Sequence, residues 1–281
     1  MRVKHKIALG YIKTKLNLLT LINRKKAGEE AFRLFCTPIF NGNIEESEVF
    51  RNAEKLSFIM DGIKINGYRC NHPRPRKILL LHGFSSTCQH FARFVQPLVD
   101  KNFEVLAFDA PAHGLSEGSM VNAVDYAKMI NRINDLYGSI SGYIAHSFGG
   151  LSVILALEKM HNDPGTKVVL IAPATETSTA IDSAFEMLRL RNSVLRKSID
   201  EVILKKSGRP SNWYSISRAI KNVKASILWI HDKDDKVTPL SDVLKVKNDS
   251  PENVRFIITT GLGHRRIYRD MGVLEQVISF F

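Results

Sequence analysis

Short apolar segments alternate with helical stretches through most of this chain of 281 residues. The apolar segments lie at 77–81, 104–108, 142–145, 167–171, 227–230 and 254–259. Continuous apolar strands separated by helices are typical of a parallel sheet that helices cover on both faces. The pattern therefore predicts an α/β fold, and it predicts that functional residues lie at the carboxyl ends of the strands.

A β-hairpin is predicted ahead of the parallel strands. Two runs rich in apolar residues, 56–60 and 63–70, are separated only by Asp61-Gly62. An Asp-Gly pair between such runs is a strong signal for the two-residue turn that joins antiparallel strands. We therefore expect a mostly parallel central sheet with an N-terminal hairpin.

One interval between predicted strands is too long for a single connecting helix. About 55 residues separate the strand that ends near Ile171 from the strand that begins near Ile227, twice what one helix and its turns require. Apolar residues recur there at helical spacing: Phe185, Leu188, Leu190, Leu195, Ile199, Val202 and Ile203. We expect residues 175–222 to form a helical cap inserted over the strand ends. The alternative is one long surface helix followed by a loop.

The N-terminal segment is strongly basic and also amphipathic. Residues 1–26 carry eight Lys or Arg and no acid, which is most of the net charge of +12. Ala8, Ile12, Leu16 and Leu19 recur at helical spacing, whereas Lys13 and Lys15 interrupt any membrane-spanning run. The segment predicts a helix that packs on the body of the protein or lies on a membrane surface. No nucleic-acid motif accompanies it, so we expect no nucleic-acid partner.

These segments suggest three parts of the chain. Residues 1–50 form an N-terminal basic and amphipathic helical segment, residues 51–174 and 223–281 form the α/β core, and residues 175–222 form the cap insertion. The length suits one α/β domain with an insertion. Three scattered cysteines without a CxxC pair favour a reducing compartment, and we expect the cytoplasm.

The composition of the loops gives no signal for a cofactor or a metal. Gly261-Leu262-Gly263 lacks the third glycine of a dinucleotide-binding fingerprint, and no phosphate-binding loop is present. His231, Asp232, Asp234 and Asp235 cluster in one loop without a second cluster elsewhere, which is a poor pattern for a metal site. We expect neither a cofactor nor a bound metal.

The segment Ala145-His146-Ser147-Phe148-Gly149-Gly150 follows an apolar strand and opens a predicted helix. Small residues two positions before and after a serine allow the sharp strand-to-helix turn called a nucleophile elbow. A serine at that turn faces the unpaired N–H groups at the start of the helix, which favour developing negative charge. The segment predicts that Ser147 is a catalytic nucleophile. The alternative is a serine in an ordinary turn.

A serine nucleophile needs a base and a group that orients the base. After Ser147, three aspartates follow the strand near 227–230, and any of Asp232, Asp234 or Asp235 could be the acid. His264 follows the next strand, in the loop Thr260-Gly261-Leu262-Gly263-His264. The order serine, acid, histidine is the order of a triad on an α/β sheet. The sequence therefore predicts that His264 is the base.

Several motifs in this order resemble those of the α/β-hydrolase superfamily over about residues 55–281. His82-Gly83-Phe84 looks like its oxyanion loop, and 108–116 resembles its DxPGHGxS segment, with Ala112 in place of the usual glycine. The HSxGG elbow and the GLGHRRI ending resemble cap-bearing bacterial hydrolases of this superfamily. The resemblance implies that Asp235 is the acid and that the N–H groups of Phe84 and Phe148 form the oxyanion hole. Asp232 stands where the family frequently has glycine.

The resemblance implies a serine hydrolase that cleaves carboxylic esters or related acyl compounds through an acyl-enzyme intermediate. Its partner would be a small-molecule acyl or ester substrate, and its basic N-terminus could add peripheral membrane contact. The same residues also serve hydrolysis of thioesters, peptides, C–C bonds or lipids, because the fold does not select the substrate. A ligand-binding protein without catalytic activity is the remaining alternative.

Overall fold

The computed structural model describes the backbone of residues 3–39, 45–249 and 252–281, and the side chains from residue 9 onward. Ala8 and the cations Arg2, Lys4 and Lys6, which entered the interpretation of the N-terminal segment, lie outside the described side chains. Within the described ranges, no helix is both long and apolar enough to cross a membrane.

Eight strands form one sheet in the order β1-β2-β4-β3-β5-β6-β7-β8. The pairs β1–β2 and β2–β4 are antiparallel, and every other pair is parallel. The mostly parallel sheet expected from the apolar segments is therefore confirmed. The strands are β1 (Glu54–Met60), β2 (Ile63–Cys70), β3 (Lys77–Leu81), β4 (Glu104–Phe108), β5 (Gly142–His146), β6 (Lys167–Ile171), β7 (Ser226–Asp232) and β8 (Val254–Thr259).

The turn between β1 and β2 is the two-residue turn that Asp-Gly predicts. Met60 pairs with Ile63, so only Asp61 and Gly62 lie between the strands. Asp61 has φ 50° and Gly62 has φ 80°. Positive φ at both central residues matches the twist of paired strands, which is why this turn is favoured in hairpins. The predicted hairpin is confirmed.

The helices include several of only one turn. They are α1 (Val3–Ile22), α2 (Arg24–Cys36), α3 (Glu48–Arg51), α4 (Ala92–Asp100), α5 (Ala123–Tyr137), α6 (Phe148–Leu157), α7 (Thr177–Met187), α8 (Ser193–Ser207), α9 (Ile216–Ala219), α10 (Leu240–Asn248), α11 (Gly263–Arg266) and α12 (Met271–Phe280). Short 3₁₀ turns lie at Cys88–Phe91, Ser211–Trp213, Ile220–Asn222 and Ile267–Arg269.

The central strands are buried on both faces. In β3, Ile78 and Leu80 belong to a core cluster that also contains Phe94 of α4 and Val277 of α12. Leu79, which points to the opposite face because side chains alternate along a strand, is equally buried. Helices therefore cover both sides of the sheet, which is why these strands are continuously apolar in the sequence.

The chain divides into two compact units, and in the smaller one the described residues form helices and the turns between them. It consists of Met1–Thr37 and Glu176–Tyr214, and the larger consists of Pro38–Thr175 and Ser215–Phe281. Residues 175–222 contain the helices α7 and α8 and the one-turn helix α9, rather than the single long helix considered as an alternative. The predicted position of this segment over the strand ends stays a prediction.

The N-terminal helices α1 and α2 pack with α7 and α8 of the insertion. Asn192 Nδ2 donates to Asn17 Oδ1 at 3.0 Å, and Gly28 of α2 lies against α8 so closely that a Cβ would be 2.6 Å from the Ser198 carbonyl oxygen. A buried apolar cluster joins the helices: Leu16, Ala27, Ala31, Ile181, Leu190, Leu195, Ile199 and Ile203. The N-terminal segment and the insertion, predicted from the sequence as separate parts, therefore form one compact unit.

Candidate active site

Ser147 lies at the junction of β5 and α6, with φ 53° and ψ −117°. Side chains with a Cβ rarely adopt such a conformation, and it is a property of the nucleophile elbow. The turn requires a small residue two positions after the serine, since a Cβ on Gly149 would be 2.6 Å from the Leu81 carbonyl oxygen. The Ser147 N–H donates to the Ile171 carbonyl at 3.1 Å, which ties the turn to the end of β6.

Ser147, His264 and Asp235 form a continuous hydrogen-bonded chain. The Ser147 Oγ–H donates to His264 Nε2 at 3.0 Å, and the opposite ring nitrogen of His264, Nδ1, donates to Asp235 Oδ2 at 2.8 Å. The three residues come from the ends of β5, β7 and β8, which are adjacent or nearly adjacent in the sheet. This is the geometry that a nucleophile, its base and an orienting acid require.

Asp235 is buried and receives donors on both carboxylate oxygens. The N–H groups of Val237 and Thr238 donate to Oδ1 at 2.8 and 2.9 Å, and the Thr238 hydroxyl donates to Oδ2 at 2.9 Å. Burial alone would raise the pKa of Asp235, but His264 and these donors outweigh it and lower the pKa to about 2. Asp235 is therefore ionised at neutral pH beside the His264 ring.

The other two aspartates of this loop bind the backbone that leads to His264. Asp232 is fully buried, and its Oδ2 accepts from the Thr259 hydroxyl at 2.7 Å and from the Leu262 N–H at 3.1 Å. Asp234 Oδ2 accepts from the Gly261 N–H at 2.8 Å. From the sequence, Asp232 and Asp234 were only alternatives to Asp235 as the acid. The only sequence signal for a role in binding the backbone was Asp232 itself, a carboxylate at a position where the family that the chain resembles frequently has glycine.

His146 is a further residue whose role was not predicted from the sequence. Its Nε2–H donates to the backbone carbonyl of His264 at 3.0 Å, and its ring lies 4.8 Å from the His264 ring and 4.6 Å from the Tyr268 ring. Burial, reinforced by His264, lowers the pKa of His146 to about 3, so the ring is neutral. His146 thus connects the elbow to the segment that carries the predicted base.

Phe84 and Phe148, the predicted oxyanion residues, lie side by side. Their rings are 5.7 Å apart in an edge-to-face arrangement. Neither backbone N–H has a hydrogen-bond acceptor in the part of the chain that the structure describes. Gly83 allows the loop to approach the elbow, because a Cβ there would be 3.0 Å from the Ser147 Cβ. Two unpaired donors close to a serine are a ready site for an oxygen anion.

Two buried histidines hold the loop that contains Phe84. His82 Nδ1–H donates to the Gly83 carbonyl at 2.8 Å, and its Nε2 accepts from the Ala110 N–H at 2.9 Å. His113 Nε2 accepts from the Ser85 N–H at 3.0 Å. Burial lowers the pKa of His82 to about 4 and that of His113 to about 3. Both rings are therefore neutral, as their acceptor nitrogens require.

The end of β7 and the loop that follows it hold the histidine and aspartates that could bind a metal. His231 Nε2–H donates to the Thr238 carbonyl at 2.9 Å, so this ring nitrogen is already used within the loop. Among the described residues, no three His, Cys, Asp or Glu side chains are grouped as metal ligands. The expectation that the protein needs no cofactor stays a prediction.

Comparison with known proteins gives consistent similarities. The chain is 24% identical over 241 residues to the uncharacterized hydrolase YugF of Bacillus subtilis, covering 71% of this chain and 87% of that protein. It is similar to the solved structure of a Pyrococcus furiosus esterase, with TM-score 0.63 and 18% identity over 87% of this chain and 97% of the other. A putative lipase of Acinetobacter baumannii gives TM-score 0.62 and 16% identity over 85% and 97%.

A family model, Hydrolase_4, described as serine aminopeptidase S33, matches residues 72–225. The match includes the loop of Phe84, the elbow at Ser147 and strands β3 to β6, and it extends over more than half of the chain. The solved structures named above share the fold of the sheet and its helices. The chain therefore belongs to this S33 family, and it is an α/β hydrolase.

Proposed function

We propose that the protein is a serine hydrolase that cleaves carboxylic esters or related acyl compounds through an acyl-enzyme intermediate. The observation that carries this proposal is the chain of hydrogen bonds from Ser147 through His264 to Asp235, at 3.0 and 2.8 Å. The similar solved structures include proteins named esterase and lipase, which supports an ester as the substrate. In its favour, Ser147 has the strained backbone of an elbow nucleophile.

In the proposed reaction, Ser147 Oγ attacks the carbonyl carbon while its proton passes to His264 Nε2. The carbonyl oxygen becomes an anion that accepts hydrogen bonds from the N–H groups of Phe84 and Phe148. Collapse of this intermediate breaks the bond to the alcohol oxygen, which takes the proton from His264. Water then attacks the acyl-enzyme by the same steps, with His264 as its base, and releases the acid and free Ser147.

The charges around the site suit this sequence of proton transfers. Asp235 stays ionised because its pKa is about 2, so it stabilises the imidazolium that forms on His264. The ring of His146, 4.8 Å from that of His264, is neutral, since burial lowers its pKa to about 3. His146 therefore does not repel the charge that develops on His264.

We propose that the acyl group of the substrate is apolar. Both oxyanion donors carry phenyl rings, and these rings contact each other beside Ser147. Apolar lining with few placed polar groups is usual for small-molecule sites. Cys36, Cys70 and Cys88 all lie in the described ranges and form no disulfide, which agrees with action in a reducing compartment, and we propose the cytoplasm.

The test combines an activity probe with a substrate panel. A fluorophosphonate should label the wild type at Ser147 and leave Ser147→Ala unlabelled, and p-nitrophenyl esters of increasing acyl length should be hydrolysed. An aminoacyl p-nitroanilide in the same panel tests the peptidase activity that the family description names. Faster anilide than ester cleavage would replace the ester proposal. A folded wild type that neither labels nor hydrolyses any substrate would favour ligand binding without catalysis.

A further inference from the structure

The corner between α1 and α2 exposes its apolar side chains to solvent. Leu21 and Ile22, the last residues of α1, are 84% and 82% exposed, more than any other large apolar side chain that the structure describes. Tyr11 and Leu18 are exposed on the same helix. Exposed single apolar residues are ordinary, but a contiguous group at one corner indicates an interaction site.

The exposed side chains follow one face of α1. Positions 18 and 22 lie seven and eleven residues after position 11, and both spacings return nearly to the same side of an α-helix. The opposite side already has a partner, since Leu16 is buried and Ile12 and Leu19 pack in the core of the helical unit. Helix α1 therefore has two apolar faces, and the helices of its own unit cover only one.

Three cations follow the exposed pair directly. Arg24, Lys25 and Lys26 form the first turn of α2 and are all exposed, and this turn contains no acid. The start of a helix is the positive end of its dipole, so acids are favoured there and cations are not. None of the three forms an ion pair with a carboxylate on any described side chain, whereas Lys15 nearby binds Glu30 at 2.7 Å.

Exposed aliphatic residues and cations at a helix N-terminus are both unfavourable in water. A single environment makes both favourable: an anionic lipid surface, which takes apolar side chains at its acyl boundary and cations at its headgroups. A second copy of this chain fits poorly, because a symmetric contact would bring the three cations of each copy together. Nucleic acid would leave Leu21 and Ile22 without an apolar partner.

We propose that this corner, residues 21–26, is a peripheral docking site for an anionic membrane surface. Leu21 and Ile22 enter the boundary between headgroups and acyl chains, and Arg24, Lys25 and Lys26 lie against the anionic headgroups. Asn23 begins α2 by accepting from the Lys26 N–H at 3.0 Å, which fixes the cations relative to the apolar pair. This binding does not depend on Ser147 or on the proposed hydrolysis.

The full chain should co-sediment with vesicles of equimolar phosphatidylcholine and phosphatidylglycerol and not with phosphatidylcholine alone. Binding should weaken when NaCl is raised to about 0.5 M, because salt screens the attraction. The double variant Leu21→Gln/Ile22→Gln and the triple variant Arg24→Gln/Lys25→Gln/Lys26→Gln should each reduce vesicle partition at least about tenfold.

Matched variants control for general polarity and charge. Ile59→Gln/Leu136→Gln removes two exposed apolar residues from the other unit, and Lys101→Gln/Arg132→Gln/Lys224→Gln removes three exposed cations there. Both controls should bind vesicles like the wild type. Circular dichroism and the thermal midpoint should show that all four variants remain folded, since every substitution is on an exposed side chain.

Four results would overturn the proposal. One is a wild type that does not bind the anionic vesicles. Another is vesicle binding that the corner variants leave unchanged while a control variant lowers it. The third is a dimer, detected without lipid by sedimentation velocity, that Leu21→Gln/Ile22→Gln dissociates, because the corner would then bind a second copy. Binding of duplex DNA that the triple variant abolishes and the double variant does not would likewise assign the cations to nucleic acid.

Discussion

At the residue scale, the backbone of Ser147 is held in a conformation that favours glycine. Its φ of 53° with ψ of −117° costs about 1–3 kcal/mol for a residue with a Cβ. The neighbouring hydrogen bond from the Ser147 N–H to Ile171 keeps the turn in place despite this cost. The backbone conformation that places the Ser147 hydroxyl therefore lowers the stability of the fold.

This strained conformation predicts different outcomes for two substitutions of Ser147. Ser147→Ala should lower kcat by about 10⁴ or more and leave the thermal midpoint near that of the wild type, because the Cβ and its strain remain. Ser147→Gly should be equally inactive but more stable by about 1 kcal/mol, because the strain is relieved. Thermal unfolding of the three proteins tests this. A glycine variant less stable than the alanine variant would contradict it.

Asp235 makes activity and acid stability depend on the same carboxyl group. Asp235→Asn should lower kcat by about 10⁴, because the amide favours the wrong tautomer of His264. The folded pKa of Asp235 is about 2, below its ordinary value of 3.8, so the stability that this carboxylate contributes is complete above the unfolded pKa and is lost as pH falls towards 2.

The wild type should therefore lose about 1 kcal/mol more unfolding free energy than Asp235→Asn between about pH 5 and pH 3. Urea unfolding of both proteins at these two pH values measures the difference. Equal losses in the two proteins would mean that Asp235 is not held ionised by its partners.

Asp232 should matter more than its sequence context suggests. Sequence patterns gave Asp232 no role beyond that of a candidate acid, but its buried carboxylate accepts from the Thr259 hydroxyl and from the N–H groups of Leu262 and Asp234. Asp232→Asn should cost about 1–3 kcal/mol of stability and lower kcat about tenfold. The amide NH₂ would replace a carboxylate oxygen that accepts hydrogen bonds, so the N–H and O–H groups facing it would lose their acceptor. Asp234→Asn, on a more exposed side chain, should do less. Kinetics on one soluble ester, with unfolding curves, compares the two variants.

At the element scale, apolar patterning predicted the strands but not their polar ends. The pattern placed a strand at 227–230, whereas β7 runs from Ser226 to Asp232. His231 and Asp232 pair with β8 and are fully buried, but their side chains carry no apolar signal. Likewise, β5 extends to His146. The strand residues missed from the sequence are thus polar residues that are buried by strands far away along the chain.

The packing of α2 on α8 predicts opposite effects for two helical glycines. Gly28→Ala should destabilise the helical unit by about 1–3 kcal/mol, because the new Cβ would overlap the Ser198 carbonyl, 2.6 Å away. Gly10→Ala in α1 has open space and should stabilise its helix by about 0.5–1 kcal/mol. Hydrogen exchange of the amides of α1, α2 and α8 reports on this unit directly. Equal protection in the two variants would show that the helices tolerate separation.

At the scale of the whole molecule, the N-terminal helices form the core of a unit that also needs the insertion. Leu195, Ile199 and Ile203 of α8 share one buried cluster with Ala27 and Ala31 of α2. No local pattern links these segments, because each shows only an apolar stripe without indicating what covers it. The sheet, with its hairpin and its parallel strands, was predictable from the sequence. The packing of the N-terminal helices on the inserted helices was not.

Deleting residues 1–37 should therefore do more than remove positive charge. It should uncover the apolar stripe of α8, lower the thermal midpoint and promote aggregation, because an exposed apolar patch seeks another partner. The triple variant of Arg24, Lys25 and Lys26 removes charge without uncovering α8 and is the matched control. Size-exclusion chromatography distinguishes the two. A monomeric deletion variant with an unchanged thermal midpoint would show that α8 is covered by another part of the chain.

The separation of the two halves of the helical unit also has a consequence during synthesis. About 140 residues lie between Thr37 and Glu176, and a ribosome adds roughly 5–20 residues per second. The first two helices are therefore translated about 7–28 s before translation of the helices that cover their apolar face begins. During that interval both apolar faces of α1 and the cations at the start of α2 are uncovered in the nascent chain. A chaperone or a nearby bilayer can therefore bind this segment before the helices that pack on it in the folded protein are made.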